Sequence, residues 1–128
     1  MKRAVLFAVC LLAFAEPPPA ILELLRVATE DLANRDANAF LSHFAPETPG
    51  LATIRQQVSA LIAVDGAAST TTVAQDEGDD QTRRLQIDWL LRVGASRRKR
   101  TTVTVTLERR GNNWKFTGFD PVDFFSLP

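Results

Sequence analysis

Three segments in the last third of the chain, at residues 82–93, 101–109 and 113–119, alternate large apolar side chains with polar ones. A period of two predicts strands with one apolar and one polar face. In the first segment Leu85, Ile87, Trp89, Leu91 and Val93 share a face opposite Arg84, Gln86, Asp88 and Arg92. Val103, Val105 and Leu107 repeat the pattern opposite Thr102, Thr104, Thr106 and Glu108, and Trp114 and Phe116 turn inward after Gly111-Asn112-Asn113. A Thr-, Ala- and Val-rich stretch at 67–75 reads as an earlier strand, and Asp76-Glu77-Gly78-Asp79-Asp80 as the turn out of it.

Ahead of this sheet the period is helical. Ile21, Leu25, Ala28 and Leu32 fall on one face, with Glu23, Arg26, Glu30 and Arg35 on the wet side. Asn34-Arg35-Asp36 interrupts the pattern, and Asp36 is placed to cap a short second helix whose Phe40, Leu41 and Phe44 face inward before Pro46. Thr48-Pro49 reads as the N-cap and first-turn proline of a third helix carrying Leu51, Ile54, Val58 and Leu61. Helices followed by strands predict an α+β domain, with the N-terminal helices packed in a curved antiparallel sheet.

The first fifteen residues change the picture of where this domain works. Lys2-Arg3, an apolar run and Ala13-Phe14-Ala15 before Pro17-Pro18-Pro19 have the form of a secretory signal peptide. The apolar run is about half the ~20 residues of a membrane-spanning helix. The expected organisation is a signal peptide at 1–15, a proline-rich spacer at 16–20 and one domain at 21–128. The product would be exported, periplasmic or extracellular in a bacterium, with no stable membrane insertion after signal removal. Cys10 is the one cysteine, so cleavage leaves neither disulfides nor thiolate chemistry. Charge is polarised along the chain: residues 16–80 carry 3 basic and 11 acidic side chains, residues 81–128 carry 10 and 4. Opposed halves attract in the folded state, within the reach that salt allows.

Residues 32–41, Leu-Ala-Asn-Arg-Asp-Ala-Asn-Ala-Phe-Leu, and the closing Gly111-Asn112-Asn113-Trp114-Lys115-Phe116 hairpin resemble the nuclear transport factor 2-like (SnoaL-like) superfamily. The ending Pro121-Val122-Asp123-Phe124-Phe125 with Pro128 is similar to that of a secreted bacterial branch. The resemblance spans nearly all of residues 16–128. It implies helices wrapped by one long antiparallel sheet around a cone-shaped cavity. The short strand that usually precedes the third helix is missing here, or reduced to residues 44–50. The superfamily mixes isomerases, hydrolases, carriers and structural modules, so the resemblance supplies no reaction. Its isomerase-type members polarise a carbonyl with a tyrosine hydroxyl, and this chain has no tyrosine.

Candidate chemistry is sparse. His43, the one histidine, and Asp36 could form an acid–base pair if both reached the cone. The commoner roles for such residues are a half-exposed helix position and a helix cap. The apolar alternative is a ligand-binding or protein-interaction module whose pocket is lined by Phe40, Phe44, Trp89, Leu91, Val105, Trp114 and Phe116 and either is filled or accepts a small apolar ligand. One histidine and an acidic turn without a distal glutamate give no metal site, and no cofactor motif is present. Arg97-Arg98-Lys99-Arg100 reads as a charged hairpin tip and not a nucleic-acid site, because no aromatic interleaves it and the chain is expected to be exported. The outer sheet face, with Thr102, Thr104, Thr106 and Thr117 beside Gln86, Leu90, Arg92 and Phe119, is the expected homodimer contact.

Overall fold

A computed structural model describes residues 17–126; the expected signal segment therefore lies outside the described residues. Pro19 opens helix α1 (Pro19–Ala33), where a missing N–H costs nothing. Its Ile21, Leu25, Ala28 and Leu32 are buried. Arg26 binds Glu23 and Glu30 along the outer surface. Helix α2 (Ala37–Leu41) starts at Asp36, whose carboxylate accepts the Ala39 N–H at 3.0 Å. Helix α3 (Leu51–Val64) sends Ile54, Val58, Leu61 and Ile62 into the core.

Two polar expectations are corrected at these helix ends. Thr48 does not cap α3; the N-cap is Gly50, in the left-handed region at φ 77°. The buried Thr48 hydroxyl instead donates to the carbonyls of Ala45 (2.7 Å) and Phe116 (3.0 Å), binding the loop to the sheet. Arg35 is exposed, as expected, but lies past the end of α1. It adopts φ 61° beyond the end of that helix and donates Nε to Ile62 O (2.9 Å) and Nη2 to Ala63 O (2.7 Å). Its guanidinium thus satisfies carbonyls that the end of α3 leaves free.

The strands β1 (Ala67–Gly78), β2 (Thr82–Val93), β3 (Arg97–Arg110) and β4 (Asn113–Asp120) form an antiparallel sheet in the order β1-β2-β3-β4. On β2 and β3, Leu85, Ile87, Trp89, Leu91, Val103, Val105 and Leu107 are buried on one face, as the alternation predicts. Two register shifts move residues that simple alternation misplaces. The register jumps from Thr106↔Gly118 to Leu107↔Phe116, leaving Thr117 as an extra residue in β4. Phe116 and Phe119 therefore both point inward, and Phe119, expected on the outer face, is buried. The second shift, at Ala74, sets Asp76 opposite the inward Leu85. Asp76 is thus a strand residue and not part of a turn; it takes both Nε and Nη2 of Arg83 at 2.9 Å. That bidentate contact holds the Arg83 pKa above its usual value.

The short strand before the third helix is reduced, as expected, here to a single parallel bridge, Phe44↔Phe116. Phe116 donates to His43 O and accepts from Ala45 N. This bridge fixes the α2 corner to β4 and sets Phe44 and Phe116 ring to ring at 4.9 Å.

Candidate functional site

The concave side of the sheet, closed by α1, α2 and α3, is an aromatic chamber. Phe40 reaches it from α2, Phe44 from the bridge, Trp89 from the middle of β2, and Phe116 and Phe119 from either side of the β4 bulge. Beyond Asp120 the chain folds back and adds Phe124 and Phe125, which are 0% and 1% exposed. Trp89 meets Phe119, Phe124 and Phe125 with ring centroids 5.8, 5.5 and 5.8 Å away. Phe125 also packs edge-on against Phe40 at 5.4 Å and stacks on Phe119 at 5.3 Å. These separations fall in the range favoured by aromatic pairs. The cone is thus occupied by side chains of the chain's own C-terminal tail.

The tail is held at the rim. Val122 packs against Gly50, where a Cβ would come within 2.7 Å of a Val122 methyl carbon, so a larger residue could not sit there unshifted. Lys99 donates to the carbonyls of Asp123 (3.4 Å) and Ser126 (3.1 Å), and its ammonium lies 5.5 Å from the Phe124 ring centroid. This corrects the hairpin-tip reading of the basic run. The run opens strand β3, so its side chains alternate, and Lys99, opposite Leu91, turns to the inner side. Arg100 goes the other way and forms a bidentate pair with Asp88 at 3.0 and 2.6 Å. The guanidinium lowers the Asp88 pKa.

Among the expected pocket residues, Phe40, Phe44, Trp89, Leu91, Val105 and Phe116 are buried together in one core. Trp114, opposite Arg109, is half-buried and packs at the margin. The acid–base candidates are engaged elsewhere. Asp36 is the α2 cap. His43 brings Nε2 to 2.8 Å from Oδ2 of Asp31 on α1, with about four-fifths of each side chain covered. Asp36 and His43 form no hydrogen bond with each other. Asp31 is a residue that sequence reasoning misses, since it reads there as one more polar position beside the buried Leu32. Its meeting with His43 depends on the angle between α1 and α2, which periodicity does not encode.

Among the described residues no group of three His, Cys, Asp or Glu side chains is placed to hold a metal ion. A second concavity, a solvent-open cleft of about 310 Å³, lies between the end of α3 and the β2–β3 turn, lined by Ala60, Leu61, Asp65, Val93 and residues 94–97. It contains one carboxylate and one guanidinium.

Similar architectures occur among solved structures. A protein of unknown function from Mycobacterium tuberculosis, Rv3472, solved as a point variant, is 14% identical and superimposes with a TM-score of 0.66 over 78% of this chain and 67% of its own. An NTF-2 like protein of unknown function from Shewanella oneidensis MR-1 is 13% identical, with a TM-score of 0.63 over 81% and 97%. A protein of unknown function with a cystatin-like fold from Nostoc punctiforme is 17% identical, with a TM-score of 0.61 over 85% and 92%. The chain has the nuclear transport factor 2-like α+β cone fold. No family model and no curated protein matches the sequence.

Proposed function

We propose that the protein is a non-catalytic binding module whose aromatic cone takes a small apolar ligand. The observation that carries this reading is the composition of the chamber: Phe40, Trp89, Phe116, Phe124 and Phe125 are all essentially unexposed, and neither acid–base candidate is committed to it. A chamber of this kind offers burial, and the Trp89 indole N–H inside it has no hydrogen-bond partner. Titration with benzophenone tests the reading through tryptophan fluorescence. Quenching that weakens in Trp89→Phe and persists in His43→Ala supports it; quenching lost in His43→Ala and kept in Trp89→Phe opposes it.

The second reading is a small acid–base enzyme of the isomerase, dehydratase or hydrolase type, using His43 and Asp36. The 2.8 Å contact of His43 with Asp31 favours it, because a carboxylate that orients an imidazole is a recurring catalytic arrangement. In that case His43→Ala and Asp36→Asn each abolish turnover and leave substrate affinity nearly intact.

We also propose export and self-association. The signal-like segment at residues 1–15 supports the first, and intact mass of the periplasmic product should be that of residues 16–128. The outer-face threonines around the half-buried Leu90 support the second. Sedimentation should give twice the monomer mass, falling to the monomer in Leu90→Arg.

A further inference from the structure

The two rings at the centre of the chamber belong to the segment that follows β4, not to the helices and strands that wall it. We propose that Phe124 and Phe125 are an intramolecular occupant of the cone, and that the ligand replacing them carries two aromatic rings and one hydrogen-bond acceptor, which receives the Trp89 indole N–H. This rests on the binding-module reading above and identifies both its ligand class and its gate.

Three observations support the exchange. First, none of the described residues beyond Asp120 joins a strand: Phe124 N–H donates to Pro121 O and Ser126 N–H to Asp123 O, both within the segment. Its ties to the body are side-chain packing and the Lys99 ammonium. It can therefore leave without breaking a sheet ladder. Second, what it inserts is a pair of phenyl rings whose neighbours Phe40, Trp89 and Phe119 are themselves rings, so a diaryl molecule meets the same surfaces. Third, Trp89 is fully buried, yet its Nε1 donor has no hydrogen-bond partner. Buried donors are seldom left unpaired, and the rings of Phe124 and Phe125, the side chains that the tail inserts beside the indole, offer no lone-pair acceptor. Ser69 Oγ, also buried and unpartnered, lies on β1 two positions from Thr71, the register partner of Trp89. An acceptor on the incoming ligand gives the indole N–H what the tail's rings cannot.

Linkage sets the expected behaviour. A ligand that must displace the tail binds with its intrinsic affinity reduced by the fraction of molecules whose cone is open. Weakening the latch raises affinity without any change to the walls. Lys99→Ala removes the latch and keeps both rings; Phe124→Ala/Phe125→Ala removes the rings.

The test compares benzophenone, with two rings and a carbonyl acceptor, and diphenylmethane, which lacks the acceptor. Binding is followed by calorimetry and by the indole N–H resonance of Trp89. Benzophenone should bind Lys99→Ala about threefold and the double variant at least about tenfold more tightly than the unaltered protein. Diphenylmethane should show the same ordering, with about fivefold lower affinity throughout, and benzophenone alone should move the Trp89 resonance downfield. Equal benzophenone affinity for all three proteins overturns the gate and leaves the binding-module reading standing. No binding to any of them overturns both. If the double variant does not fold, an unchanged affinity in Lys99→Ala is sufficient to overturn the gate. A Trp89 resonance that stays fixed while affinity rises overturns the acceptor assignment.

Discussion

The aromatic chamber and the α1–α2 corner share one short stretch of chain, yet they are chemically opposite. Between Asp36 and Phe44, Phe40 and Phe44 enter the chamber, while Asp36 caps its own helix and His43 meets Asp31 on the neighbouring one. In this stretch the phenyl rings go to the interior, and the two ionisable groups are engaged outside it. Arg35 at the end of α3, Lys99 on the tail and Arg110 on Glu47 follow the same rule. Polar residues in this molecule act as fasteners, and the interior is left to the rings.

The tail gives the largest expected break in that contrast. Deleting residues 124–128 removes two fully buried phenylalanines, each worth about 1.5–3 kcal/mol. A domain of this size loses roughly 4 °C of Tm per kcal/mol. Thermal unfolding should therefore fall by about 12–24 °C. A fall below about 4 °C would mean that the rings contribute little to the chamber, and the contrast between a ring-filled interior and its polar fasteners would lose its basis.

How far this division is legible in the sequence depends on range. The face carrying Leu85, Ile87, Trp89 and Leu91 follows from a two-residue period, and the Ile21-Leu25-Ala28-Leu32 stripe from a helical one, because both are set by nearest neighbours along the chain. The Asp36 cap is local too. Simple alternation misplaces Phe119 because a single extra residue, Thr117, reverses the parity of everything after it, and a bulge leaves no mark in hydropathy. Asp76 is misplaced for a different reason: the acidic run reads as a turn, whereas the strand continues to Gly78, and the shift at Ala74 then faces Asp76 inward to meet Arg83. Lys99 separates from its basic neighbours only when strand alternation is extended into the run. The filling of the cone by Phe124 and Phe125 is legible in part: two adjacent aromatics require burial, but their destination depends on where the chain turns after β4.

The polar corner gives a smaller effect and a sharper distinction. Asp36→Ala removes the cap of α2 and should cost about 1 kcal/mol, whereas Asp36→Ser, which restores an acceptor for the Ala39 N–H, should recover most of it. Asp31→Ala and His43→Ala break a largely covered pair and should each cost about 1 kcal/mol, with little further loss in the double variant. Additive losses would show that the two side chains do not act on each other. If Asp36→Ser were as destabilised as Asp36→Ala, the carboxylate would have a role other than capping. Urea unfolding of the five proteins decides both points.

The outermost fastener gives the smallest effect, and its sign is fixed by charge. Glu47, in the loop leading to α3, binds the Arg110 guanidinium, and this contact holds the Glu47 carboxyl down at about 2 against an ordinary 4.5. The same pairing raises Arg110, which also holds Glu108 at 2.9 Å. Since the folded state prefers ionised Glu47, its contribution is complete above pH 4.5 and is lost as pH falls towards 2. Glu47 is exposed and Arg110 only half-buried, so the contribution is small and added salt diminishes it. Stability should therefore decline between those two pH values more steeply in the unaltered protein than in Glu47→Gln, with the difference shrinking at high salt. Identical slopes in the two proteins would show that the pair does not fasten the loop, and would leave that task to the Thr48 hydroxyl, bonded to Ala45 O and Phe116 O, and to the Ala45 N–H on Phe116 O.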